Sequence, residues 1–250
     1  MLGWNLFLLC ENRAGAVKGP ASTQEPVVQE RPIYIPGGQV MLEGDLAIPT
    51  SARGMVLFAH GSGSSRYSPR NRYVARVLQR AGFATLLMDL LTAEEEALDA
   101  RTAALRFDID LLARRLILAT RWLGDVLQTA KLPIGYFGAS TGAAAALVAA
   151  AGIPDLVQAI VSRGGRPDIA GELLHRVVAP TLLIVGSEDP IVLDLNRKAL
   201  AEMSGEKELK IVPRATHLFE EPGALEAVAE VAKEWFSRYL GSTGSQTRAA

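Results

Sequence analysis

Short apolar runs alternate along this chain with longer stretches whose apolar residues recur at helical spacing. Runs such as Met55–Ala59 and Thr181–Val185 contain almost no polar residue, which is typical of strands buried on both faces of a parallel sheet. The pattern predicts strands near residues 28–35, 40–48, 54–59, 83–89, 132–138, 157–162, 180–186 and 207–213. It predicts helices near residues 69–81, 103–129, 141–151, 168–176, 192–203 and 222–240.

The order of these elements predicts an α/β fold. The first two strands flank Pro36-Gly37-Gly38, which is a hairpin signal. Repeated strand-helix units follow, so we expect a mostly parallel sheet of about eight strands with an antiparallel N-terminal hairpin and helices on both faces. Leu90–Arg106 is the only sizeable stretch without a clear pattern. It is too short for a separate lid domain, and we therefore expect a minimal lid and an open site.

Length and composition fit one domain. The chain has 250 residues, of which 49% are apolar, enough for a substantial core. We expect a single domain over residues 26–240, a loosely ordered extension over 1–25 and a flexible tail over 241–250. The apolar start, Met1–Cys10, is far shorter than the roughly 20 residues that span a bilayer. It also lacks the basic residues that precede the apolar part of a signal peptide, so we expect a cytoplasmic protein without stable membrane association.

Charge and cysteine content exclude several classes of function. A net charge of −1 gives no general attraction to nucleic acid. The single cysteine excludes an internal disulfide and a C-x-x-C metal site. Four arginines do cluster around the start of the predicted helix 69–81, and we interpret them as a solvated helical face neutralised by acidic neighbours. They are Arg66, Arg70, Arg72 and Arg76.

A G-x-S-x-G pattern lies between the predicted strand 132–138 and the predicted helix 141–151. Its members are Gly138, Ser140 and Gly142. In this context the pattern predicts a nucleophile elbow, in which a serine sits on a sharp strand-to-helix turn with positive φ. The two glycines leave no Cβ to clash where strand and helix fold back on each other. The same letters in a flexible loop would carry little information.

The chain has three histidines, and their order selects one of them as the base. An elbow serine is followed along the chain first by an acid and then by the histidine, which excludes His60. We interpret His60 as a structural residue that hydrogen-bonds its own turn. His175 lies on the predicted helix 168–176 as a surface residue without a role. His217 follows a strand-like run near the C-terminus and is the candidate base.

The candidate acid follows the apolar run Thr181–Val185. Asp189 lies on the loop at the end of this run, and Glu188 is one residue earlier, so spacing alone leaves both open. With Asp189 the triad is Ser140, Asp189 and His217, each after a separate strand, at the edge where open α/β sheets place their sites. The chemistry requires these residue types. An imidazole takes the proton of a serine hydroxyl, and a carboxylate fixes the imidazole tautomer.

The loop after the predicted strand 54–59 supplies a candidate oxyanion hole. In an elbow hydrolase, one donor is the amide after the nucleophile and the second comes from this loop. The donors would be the backbone N–H groups of Ser62 and Thr141. The Gly/Ser composition of the loop also fits an ordinary turn. A phosphate-binding loop is disfavoured, because no Gly-Lys-Ser/Thr follows.

Arg163 is a tentative substrate-binding residue. It follows the apolar run Val157–Val161, so it would project at the same edge of the sheet as Ser140. An arginine there would hold a substrate carboxylate through two parallel hydrogen bonds. The alternative is an ion pair with Asp168 or Asp189, and the sequence leaves both interpretations open.

These motifs together resemble the α/β-hydrolase family, specifically its dienelactone-hydrolase-like branch. The resemblance covers roughly residues 28–240 and rests on His60-Gly61-Ser62-Gly63, Gly138-Ala139-Ser140-Thr141-Gly142, Gly186-Ser187-Glu188-Asp189-Pro190-Ile191-Val192 and Ala215-Thr216-His217. It implies that Asp189 rather than Glu188 is the acid, from the G-x-x-D-x-x-V form of the acid loop. It implies neither a cofactor nor a metal. Residues 60–71 and 162–168 are similar to a bacterial subgroup sometimes fused to phosphoribosyltransferase domains.

One departure from the family pattern affects the expected substrate. Dienelactone hydrolases proper carry cysteine at the elbow, whereas this chain has Ser140. The expected function is therefore a serine hydrolase that cleaves small carboxylic esters through an acyl-enzyme. Lactonase, thioesterase, amidase or acyltransferase activity on the same triad remains an alternative, because leaving-group preference depends on the pocket. A non-catalytic binding protein with a hydrolase fold is the other alternative, although no triad residue is missing.

Overall fold

The computed structural model describes residues 26–126 and 128–241, and eight strands within them form one sheet. The strands are β1 Val28–Gly37, β2 Val40–Pro49, β3 Gly54–Ala59, β4 Phe83–Met88, β5 Ile134–Ala139, β6 Val157–Arg163, β7 Thr181–Gly186 and β8 Lys207–Val212. Their order across the sheet is β1-β2-β4-β3-β5-β6-β7-β8. β1 pairs antiparallel with β2 and β2 antiparallel with β4, and all later pairs are parallel. The predicted fold class is confirmed. The expectations for residues 1–25 and for the tail after 241 lie outside the described residues.

Helices cover both faces of the sheet. They are α1 Pro69–Arg80, α2 Ala93–Thr102, α3 Ile109–Asp125, α4 Thr141–Gly152, α5 Pro190–Glu202 and α6 Ala224–Leu240, with a 3₁₀ helix at Pro167–Arg176. α1 and α6 pack on one face of the sheet, in a core that includes Phe58, Phe137 and Val161. α3, α4, α5 and the 3₁₀ helix pack on the other face. In the described part of the chain, no helix is long and apolar enough to cross a membrane.

The sequence-based assignment of residues 90–129 is wrong at its start. Residues 90–106 are not irregular, since they contain α2, and the helix expected from residue 103 begins only at Ile109. A capping box starts α2: the Thr92 hydroxyl accepts from the Glu95 backbone N–H at 3.2 Å, and the Glu95 carboxylate accepts from the Thr92 N–H at 2.8 Å. The T-x-x-E spacing in the sequence indicates the start of a helix, but α2 has no apolar stripe that would also have predicted it. The helix ends where Ala103 adopts a left-handed conformation.

The topology brings four loops to one edge of the sheet. β3, β5, β7 and β8 are parallel, so their C-terminal ends meet there. Hydrogen bonds tie two of these loops together, because the N–H of Ser187 donates to Val212 O at 2.9 Å and the N–H of Glu188 donates to Ala215 O at 3.0 Å. The loop after β7 is thereby fixed against the loop after β8. These loops carry the residues that the sequence singles out as functional.

Candidate active site

Ser140 occupies a sharp turn between β5 and α4. Its backbone has φ 52° and ψ −123°, a region that side chains rarely adopt. No residue with a side chain fits at the two flanking glycines without a clash. A Cβ on Gly138 would lie 2.4 Å from Ala143 Cα, and a Cβ on Gly142 would lie 2.2 Å from Ala59 O. The chain therefore holds the serine at the first turn of α4, where the positive end of the helix dipole lies.

His217 and Asp189 are in direct contact. The His217 Nδ1 lies 2.7 Å from Asp189 Oδ2. Glu188 does not take this place, because its carboxylate accepts from the Ser187 hydroxyl at 3.1 Å. With the Nδ1 proton held by Asp189, the Nε2 of His217 is left as the acceptor that an attacking hydroxyl requires. The Asp189 side chain is 14% exposed and that of His217 is 40% exposed, so the base reaches solvent while the acid is shielded.

The end of β6 and the residues that follow it lie against both Ser140 and His217. The Ser140 N–H donates to Arg163 O at 3.3 Å, and the Arg166 N–H donates to Ser140 O at 3.1 Å. A Cβ on Gly164 would lie 3.5 Å from His217 Cε1. Among the described residues, the Ser140 hydroxyl has no hydrogen-bond partner, so the structure joins His217 to Asp189 but not to Ser140. Hydrogen bonds between a catalytic nucleophile and its base often tighten only when substrate binds.

The loop after β3 lies against the nucleophile. A Cβ on Gly61 would be 2.9 Å from Ser140 Cβ and 3.6 Å from Ser140 Oγ. The Ser62 N–H donates to the Thr141 hydroxyl at 3.1 Å, and the hydroxyls of Ser62 and Thr141 are 3.0 Å apart. The sequence analysis named the two backbone amides and missed this side-chain pair. In the reaction, an oxyanion would displace the Thr141 hydroxyl as the acceptor of the Ser62 N–H hydrogen bond. This is favourable because a charged acceptor forms the stronger hydrogen bond.

His60 has a structural role. Its Nε2 accepts a hydrogen bond from the Leu90 N–H at 3.0 Å, so Nδ1 carries the proton and donates to Gly61 O at 3.0 Å. The ring thus ties the loop after β3 to the loop after β4, and both nitrogens are engaged. His175 is exposed on the 3₁₀ helix. Within residues 26–126 and 128–241, no group of three side chains suits a metal ion.

A cleft of about 800 Å³ begins at the loop after β3. Its volume falls within the usual range of small-molecule sites. One wall is the start of α2, including Glu94, Glu95 and Glu96, so the helix that the sequence missed shapes this cleft. Other lining residues come from β2 and from the loops after β3 and β4: Val40, Met41, Glu43, His60, Gly63, Ser64, Ser65, Arg66, Asp89 and Leu91.

The arginine cluster differs from the expected solvated helical face. Arg66 contacts Asp89 and donates to Glu43 at 2.6 Å. Arg70 donates to Glu220 at 2.9 Å. The acidic partners therefore come from β2 and from loops at the edge of the sheet rather than from α1 itself. Arg72 likewise has its acidic partners outside α1, namely Glu30 on β1 and Asp45 on β2.

Arg163 is buried and forms neither of the ion pairs considered from the sequence. Asp168 is held by Arg166, with contacts of 2.9 and 2.8 Å, and Asp189 is held by His217. The ion-pair interpretation is therefore wrong. Arg163 is 9% exposed, and its Nε and Nη1 have no hydrogen-bond partner among the described residues. Burial lowers the pKa of Arg163 to about 10, with a smaller contribution from repulsion by Arg70.

Comparison with known proteins gives a family match over most of the chain. The family model described as "Dienelactone hydrolase family" matches residues 42–241. A crystal structure of a dienelactone hydrolase from Anabaena variabilis is 62% identical, with a TM-score of 0.84, and the match covers 86% of this chain and 99% of that one. Est1E from Butyrivibrio proteoclasticus has a TM-score of 0.71 at 16% identity, covering 84% of this chain and 99% of that one, which shows a shared fold.

Two curated relatives come from Mycobacterium tuberculosis, strains CDC 1551 and H37Rv. Each is 57% identical to this chain over 231 residues and is provisionally named a phosphoribosyl transferase. The match covers 92% of this chain but 51% of each relative. The chain thus spans about half the length of these relatives, and their name refers to the whole protein.

Proposed function

The chain belongs to the dienelactone hydrolase family, and on that premise we propose that it is a serine hydrolase that cleaves small carboxylic esters. The nucleophile is Ser140, the general base is His217 and the orienting acid is Asp189. The substrate is a small molecule that reaches Ser140 at the edge of the sheet where these loops meet. The cleft of about 800 Å³ shares the loop after β3 with this edge but is not itself lined by the three triad residues.

The reaction has two halves that use the same groups. His217 Nε2 takes the hydroxyl proton while Ser140 Oγ forms a bond to the ester carbonyl carbon. The resulting oxyanion accepts hydrogen bonds from the Ser62 and Thr141 amides. The intermediate then collapses, the bond to the alcohol oxygen breaks, and His217 returns the proton to that oxygen. Water repeats the sequence on the acyl-serine and releases the carboxylic acid.

One observation carries this proposal: the 2.7 Å contact between His217 and Asp189 across two loops, beside a serine with positive φ. A carboxylate at Nδ1 is what a catalytic imidazole requires, since it fixes the tautomer and stabilises the imidazolium formed during attack. A strained serine conformation is also rare without a functional reason. A binding protein that had lost catalysis would have no need of either feature.

The test is an esterase assay with p-nitrophenyl esters of increasing chain length. We expect turnover on the shorter esters, labelling by a phosphonate probe, and loss of both in Ser140→Ala. The loss should approach a millionfold in kcat if the triad acts as a unit. The matched control is Ser237→Ala on α6, where the hydroxyl accepts from Arg53 and has no part in the site. Ordinary turnover or labelling in Ser140→Ala would refute the assignment of the nucleophile.

The same assay separates the alternatives. Hydrolysis of lactones or thioesters in preference to linear esters would change the substrate class and leave the triad in place. A product carrying an added alcohol or amine would identify an acyltransferase. Neither turnover nor labelling of the native protein would favour a binding protein with a hydrolase fold.

A further inference from the structure

Arg163 is placed one strand away from the nucleophile. It ends β6, and it is paired in register with Ala139, the residue before Ser140. Alternation along a strand puts its side chain on the same face of the sheet as Val161. That face is the one covered by α1 and α6. The guanidinium therefore lies between the sheet and the helix starts, just beneath the edge that carries the site.

The donors of this guanidinium are not used. Arg163 Nε and Nη1 are buried without a hydrogen-bond partner in the described part of the chain. Arg70, at the start of α1, also has a buried Nε without a partner. Its Nη1 donates to Glu220, which leaves this group of three charges with a net positive charge.

An unpaired cation in this position is costly to the fold. Buried polar groups are almost always hydrogen-bonded, and a buried charge normally has a counter-ion. Here a second cation, Arg70, is close enough to add repulsion, and burial together with that repulsion lowers the pKa of Arg163 to about 10. No described carboxylate lies within ion-pair distance of Arg163. The described residues therefore supply no counter-ion for Arg163, and a bound anion would satisfy its unused donors.

We propose that Arg163 and Arg70 form a subsite that binds a phosphate group of the substrate. This inference rests on the proposed hydrolase function. Three nitrogen atoms of two guanidinium groups have unused N–H donors, namely Arg163 Nε, Arg163 Nη1 and Arg70 Nε. A terminal phosphate offers three oxygen acceptors, whereas a carboxylate offers two. Guanidinium groups match phosphate through parallel, charge-assisted hydrogen bonds.

The binding test is independent of catalysis. Inorganic phosphate is titrated into the Ser140→Ala protein by calorimetry, and the melting temperature is followed in parallel. We expect phosphate to bind and to raise the melting temperature. Adding Arg163→Met should weaken the phosphate affinity at least tenfold. The matched control is Arg76→Met, an exposed arginine of the same helix α1 as Arg70, and it should leave the affinity unchanged.

Stability distinguishes a binding role from a structural one. Without phosphate, Arg163→Met should melt at the same temperature as its parent or higher, because it removes an uncompensated buried charge. A lower melting temperature would identify Arg163 as a structural residue and overturn the proposal. Absence of phosphate binding, equal binding to the Arg163→Met protein, or acetate binding as tight as that of phosphate would also overturn it.

Substrate specificity is tested by giving the active protein two esters that differ in charge. The pair is p-nitrophenyl 4-phosphonooxybutyrate and its uncharged 4-methoxy analogue. We expect a kcat/KM at least tenfold higher for the phosphorylated ester, and loss of that advantage in Arg163→Met with little change on the uncharged ester. Equal rates for the two esters would refute the proposal that the bound phosphate group belongs to the substrate. Phosphate binding without any ester hydrolysis would instead refute the proposed hydrolase function and leave the subsite intact.

Discussion

Replacing Ser140 by glycine should stabilise the protein while it abolishes activity. The serine backbone has φ 52° and ψ −123°, a conformation suited almost only to glycine. Holding a serine in this region costs about 1–3 kcal/mol. Glycine relieves that strain, because it has no Cβ.

The size of the effect follows from two opposing contributions. Glycine gains the relief of strain but loses about 0.5–1 kcal/mol through the greater freedom of its unfolded chain. A net gain of about 1 kcal/mol remains in the free energy of unfolding. For a chain of this size, that corresponds to a rise of about 2–4 °C in melting temperature.

The assay compares three variants by thermal and urea unfolding. Ser140→Ala keeps the Cβ and the strain, so its stability should lie within about 0.5 kcal/mol of the native protein. Ala97→Gly is the control of opposite sign, since it places glycine at an exposed position inside α2, where it should cost about 1 kcal/mol. If Ser140→Gly is no more stable than Ser140→Ala, the turn is not strained and the reasoning is wrong.

Three further predictions concern the elbow, the acid and the cleft. Gly142→Ala places a Cβ 2.2 Å from Ala59 O, so it should lower stability severely and yield little folded protein by circular dichroism, whereas a melting curve like that of the native protein would contradict the geometry. Asp189→Asn should lower kcat by about 10⁴-fold, with Glu188→Gln as the nearly unchanged control in the p-nitrophenyl ester assay, and the reverse ranking would move the acid to position 188. Thr92→Ala removes the cap of α2, so it should cost about 1 kcal/mol and speed hydrogen exchange in α2, and unchanged exchange would show that the cap is dispensable.

The sequence alone was sufficient for the fold class. Apolar runs without polar alternation can be stable only as strands covered on both faces, which requires a parallel sheet with helices on each side. The nucleophile elbow could also be predicted from a few neighbouring residues. Two glycines at fixed spacing around Ser140 permit a turn that other residues at those positions would block. The family resemblance given by these motifs was confirmed by comparison with known proteins.

The prediction of helices from the sequence pattern failed at α2. Its capping box was present in the sequence, but helix prediction relied on an apolar stripe that α2 does not have, because only Asp99 of its residues is buried. Predicting it required weighting the cap and the glutamates of the first turn above periodicity.

Contacts between distant segments were decided by the tertiary structure alone. Chain order selects His217 and a carboxylate near residue 189, but only the folded loops show which carboxylate meets the imidazole. Sequence spacing likewise could not tell that Asp168 pairs with Arg166, while the buried Nε and Nη1 of Arg163 find no partner among the described residues. The physical reason is that patterns along the chain report which face of an element is buried. The partner of a charge depends instead on which loops the sheet brings together, and that arrangement exists only after folding.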